Sequence, residues 1–79
     1  MNKQQAEKIA KHMLRKGATT YSGGRHSITM YTGLPVKKLT DVGVRKVAVA
    51  LHERILQTKC RPPIELMHSR EALEKLRES

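Results

Sequence analysis

The sequence predicts a small α+β domain: an N-terminal helix, a β-hairpin, a long central helix and a short C-terminal helix. Three observations carry that prediction. Apolar residues recur at helical spacing near the N-terminus and again over residues 44–55, and a β-branched, glycine-punctuated segment lies between them. At 79 residues the chain is one domain, and folding at this size buries only about 60% of the surface that the unfolded chain exposes. There is no Phe or Trp and there are just two Tyr, so Leu, Ile, Val, Met and Ala must fill the core. Such a core supplies roughly 3–5 kcal/mol, which makes a homodimer an expected source of further burial.

The elements follow in order. Asn2 and Gln5 stand at capping-box spacing, and Ala6, Ile9, Ala10, Met13 and Leu14 then form one helical stripe, so a helix is predicted over residues 3–16 with Gly17 as its C-terminal cap. Ala18-Thr19-Thr20-Tyr21 and His26-Ser27-Ile28-Thr29-Met30-Tyr31-Thr32 read as two strands joined by a turn at Ser22-Gly23-Gly24-Arg25. In that reading Ile28 and Met30 share one face. The alternative makes residues 26–32 a short helix within an all-α helix-turn-helix fold.

Gly33-Leu34-Pro35 breaks the pattern, and Thr40 or Asp41 caps a second long helix running to about Thr58 on a stripe of Val44, Val47, Ala48, Leu51 and Ile55. Val49 and Ala50 widen that stripe, as a helix needs when it packs on two partners or across a dimer seam. Lys59-Cys60-Arg61-Pro62-Pro63 ends the helix. A third helix then starts near Pro63, or later with Ser69 as its cap, and Leu73 and Leu76 give it a short apolar edge.

Charge divides the chain into two regions. Residues 1–61 carry thirteen basic and three acidic side chains, whereas residues 62–79 carry three basic and four acidic ones, and the whole has a formal net charge of +9. A positive body with a near-neutral tail points to a polyanionic partner, with nucleic acid first and DNA favoured over RNA. The expected domain organisation is a basic nucleic-acid-binding core at 1–61 and a helical tail at 62–79 that packs on the core or on a partner subunit.

Candidate phosphate contacts are Lys8, Lys11, Arg15 and Lys16 on the first helix, Lys37 and Lys38 in the loop, and Arg45 and Lys46 at the head of the central helix. Arg25 and His26 join them at the glycine turn, where backbone N–H groups approach anions closely. Within Thr32-Gly33-Leu34-Pro35-Val36-Lys37-Lys38-Leu39 the chain resembles the turn and recognition-helix start of bacterial helix-turn-helix repressors. That resemblance implies that Lys37, Lys38 and Thr40 face bases or phosphates.

Other classes are less well served. His26 beside Arg25 in a small basic chain is similar to the small RNA-cleaving toxins of toxin–antitoxin pairs, but no second catalytic group stands at a diagnostic spacing, so no enzyme and no cofactor are expected. His52, Cys60 and His68 lack the close-set ligand pair of a structural zinc site, so no metal is expected. A single cysteine excludes an internal disulfide and fits a reducing compartment, and no apolar run nears 18 residues. The expectation is a cytoplasmic, non-catalytic DNA-binding regulator or architectural protein without membrane contact. The competing expectation is a compact inhibitor or adaptor whose basic face docks on an acidic host protein.

Overall fold

Asn2 begins the first helix in the way its spacing predicts. In the computed structural model, which describes residues 1–58 and 60–78, its side chain accepts from the Gln5 backbone N–H at 2.8 Å while the Gln5 side chain accepts from the Asn2 N–H at 3.0 Å. Helix α1 spans Lys3–Arg15 and buries Ala6, Ala10 and Met13, the centre of the expected stripe. Lys16 caps it. Lys59, within the expected helix-breaking segment, and Ser79, the last residue of the expected tail, lie outside the described residues.

Residues 18–32 correct the expected fold. Among the described residues there is no strand, and the molecule is all-α. The Thr19–Ser22 segment closes on itself: Ser22 Oγ accepts from the Thr19 N–H at 3.0 Å, and the Ser22 N–H donates to the Thr19 carbonyl at the same distance. Hydroxyls that satisfy the backbone locally remove the need for a strand partner. Residues Arg25–Thr32 form helix α2, and there Ile28 is fully buried while Met30 is 78% exposed. Residues two apart share a face in a strand but not in a helix, so the expected Ile28–Met30 face does not exist. Thr32 Oγ1 donates to the Ile28 carbonyl at 2.6 Å, a bond across one helical turn that accommodates a β-branched residue.

Gly33 ends α2 with φ +74°, as Gly17 follows α1 with φ +99°, and both positions favour a residue without a Cβ. The helix implied by the repressor resemblance does not begin at Val36. Residues Val36–Lys38 make a single 3-10 turn, and eight residues separate α2 from the next α-helix, where a helix-turn-helix turn needs three or four. Helix α3 spans Asp41–Gln57, and Thr40 is occupied as its cap, accepting from the Gly43 N–H at 3.0 Å. Helix α4 spans Pro63–Glu78 and takes the earlier of the two expected starts, with proline at the first helical position.

Helix α3 is the centre of the molecule, packed against α1 on one side and α4 on the other, while α2 packs on α1. Part of the expected surplus of apolar surface on α3 is used within the chain, since α3 packs on two helices, while Val49 and Ala50 stay half-buried. Met13, Ile28, Val47, Leu51 and Ile55 are fully buried together, and each large side chain so buried contributes roughly 1.5–3 kcal/mol. Helices α1 and α3 run in the same direction, since Lys46 Nζ donates to the Met1 carbonyl at 2.8 Å at one end and Leu14 and Arg15 share a hollow with Arg54 and Thr58 at the other. Helix α4 returns antiparallel to α3, with Ser69 against His52 and Arg77 sharing a hollow with Arg45 and Val49.

Candidate functional site

At four-residue intervals side chains stack along one flank of a helix, so Lys3, Glu7, Lys11 and Arg15 form a row along α1. That flank faces α3, which answers with Lys46, Ala50, Arg54 and Thr58 at the same interval. Between the two rows runs an open groove. At one end it opens into a hollow of about 420 Å³ whose floor includes Ala6, Val49 and Ala50, and Lys3, Arg45, Lys46 and Arg77 stand around it together with Glu7 and Glu53. Further along, Lys11, Leu14, Arg15, Arg54 and Thr58 enclose its other end. Lys3, Lys11, Arg15, Arg54 and Arg77 make no ion pair among the described residues, so their charges are available to a ligand.

The predicted site residues separate into four places. Lys11, Arg15, Arg45 and Lys46 meet in this groove. Lys8 lies on the opposite flank of α1 beside Met1, Gln5 and Ile9, and Lys16 is the exposed cap residue. Lys37 and Lys38 are exposed on the 3-10 turn, which packs against α2. Arg25 and His26 do not sit on a hairpin tip; they open α2. Arg25 is already engaged, donating to the Leu39 carbonyl and to the Asp41 carboxylate, so it ties the start of α2 to the start of α3.

Sequence reasoning missed three members of the groove. Lys3 is eight residues before Lys11 and Arg54 eight after Lys46, so both complete rows that the helical repeat already defined. Arg77 arrives from α4, and no local spacing relates it to α1. Also missed was a buried polar cluster joining α3, α4 and the 18–24 segment. Ser69 Oγ lies 2.7 Å from Thr20 Oγ1 and 3.0 Å from His52 Nδ1, with Ser69 wholly buried and the other two nearly so. Burial lowers the His52 pKa below its ordinary value, because the imidazolium would lose its water. With no exposure at Ser69, this Ser–His contact fastens helices and presents no nucleophile.

Elsewhere His12 Nε2 donates to the Tyr31 carbonyl at 3.2 Å, and the His68 ring meets the edge of Tyr21 with centroids 5.2 Å apart. Among the described residues no three His, Cys, Asp or Glu side chains are grouped to hold a metal ion, and no helix is long and apolar enough to cross a membrane. Compared with protein-family models, with curated proteins and with solved structures, the chain has no match in any of the three.

Proposed function

We propose that this is a non-catalytic nucleic-acid-binding protein, a DNA-binding regulator or architectural protein, that seats phosphates along the groove between α1 and α3. The observation that supports this reading is the convergence of cations from three helices on one groove, where Lys3, Lys11, Arg15, Arg54 and Arg77 are unpaired among the described residues. Glu7 and Glu53 subtract from the local potential without cancelling it. A handful of phosphate contacts gives a Kd of about 10⁻⁴–10⁻⁶ M at physiological salt, and binding that steepens as salt is removed. Titration of a labelled DNA duplex at two salt concentrations tests the proposal. A flat salt dependence, or no binding at low salt, refutes it.

A second reading rests on the groove's floor. Ala6, Val49 and Ala50 are small and apolar beneath a cationic rim, which suits an acidic amphipathic helix of a host protein as well as a phosphate chain. Recovery of a defined protein partner from lysate after nuclease treatment favours this reading, and its loss on nuclease treatment favours the first.

A further inference from the structure

We infer that the ligand of this groove is double-stranded nucleic acid held by its phosphates, and not a single strand held by its bases; the inference rests on the nucleic-acid reading above. Proteins that bind single strands combine a cationic groove with aromatic side chains on which bases stack, worth about 1–3 kcal/mol per base. This groove has no such platform. The chain's two tyrosines both lie elsewhere: Tyr31 packs against the core on α2, and Tyr21 sits against His68 in the first half of α4, away from Arg77 near that helix's other end. The imidazoles are elsewhere too, since His12 is bonded to Tyr31, His52 is buried with Ser69, His68 meets Tyr21 and His26 opens α2.

The charge geometry favours a duplex for a second reason. Twelve residues separate Lys3 from Arg15, so the α1 row is about 18 Å long. Along one strand that length matches about five phosphates, whereas a duplex presents one charge for each roughly 1.7 Å of its axis. Glu7 interrupts the α1 row and Glu53 lines the same hollow, so a lone phosphate chain laid along that row meets carboxylates as well as cations. The longest extent of the molecule is 34 Å, close to one turn of B-DNA at about 34–36 Å. One copy therefore covers no more than about a turn.

The test is fluorescence anisotropy with the full chain against a DNA duplex of about 20 base pairs, an RNA duplex of the same length and an oligothymidine single strand, between roughly 50 and 200 mM salt. The expected result is that a duplex binds about tenfold tighter than the single strand, and that Tyr21→Ala changes neither affinity. Preference for the RNA duplex over the DNA duplex supports the inference and moves the ligand from DNA to RNA. Single-strand binding equal to or tighter than that of both duplexes overturns the inference and leaves the nucleic-acid reading standing. So does a tenfold loss on Tyr21→Ala, because it would place a base on the ring. Absence of binding to all three probes overturns both.

Discussion

Ser69 is wholly buried with two polar neighbours, so removing its hydroxyl strands both of them. Thr20 and His52 are also buried, and neither recovers a solvent partner when Ser69 is shortened. Ser69→Ala is expected to cost about 1–3 kcal/mol, the cost of unpaired buried polar groups, and urea denaturation reads it directly. His52 adds a pH dependence whose sign is fixed by the direction of its shift. The unfolded chain takes up a proton as the pH falls through the ordinary value of 6.5, and the folded chain resists it. Stability is therefore full above 6.5 and declines as the pH falls from there toward the lowered folded value. Denaturation midpoints on either side of that window check this, and His52→Gln should flatten the slope between them. An unchanged slope in the variant would assign the dependence to another group. None of this cluster was legible beforehand, because Thr20, His52 and Ser69 are brought together only when α4 folds back on α3.

At the scale of elements, α1 and α3 were readable because each carries its own instructions. Asn2 with Gln5 and Thr40 with Gly43 close local bonds, and the stripes behind them are buried as their spacing requires. Helix α2 matches the all-α alternative and not the hairpin, and it was the harder element to read because its instructions are distant ones. Its sequence is rich in β-branched residues, and it has no side-chain cap. What holds it is Ile28 in the core, the His12 bond to Tyr31 and the Arg25 tie to α3. A cation at the first position of a helix opposes the macrodipole, so Arg25 is placed there for its partners and not for helix propensity. Because the Asp41 side chain is almost wholly exposed, the ion pair itself contributes under about 1 kcal/mol, and the bond to the Leu39 carbonyl adds to it. Arg25→Ala is expected to lower stability by about 1 kcal/mol and to speed amide hydrogen exchange in α2, with the salt dependence of nucleic-acid binding unchanged. A loss of salt dependence would instead return Arg25 to the phosphate-binding set.

For the whole molecule, net charge was legible and its topography only partly so. The excess of cations in residues 1–61 does not cover one continuous face: it divides between the α1–α3 groove, the far flank of α1 and the 3-10 turn. The helical repeat defined each row separately, but which rows oppose one another depends on α3 being sandwiched between α1 and α4, and that follows from packing. The division yields a prediction that separates a specific groove from diffuse attraction. Removing one cation that neutralises a phosphate should reduce the slope of log K against log salt by about one. The double change Lys11→Ala and Arg15→Ala takes two cations from the groove, so the slope should fall by about two. The double change Lys37→Ala and Lys38→Ala takes the same charge from the turn beside α2, so the slope should stay close to that of the parent chain. Equal reductions from the two pairs would mean that the ligand does not seat in the groove in preference to the turn, and that overall charge attracts it.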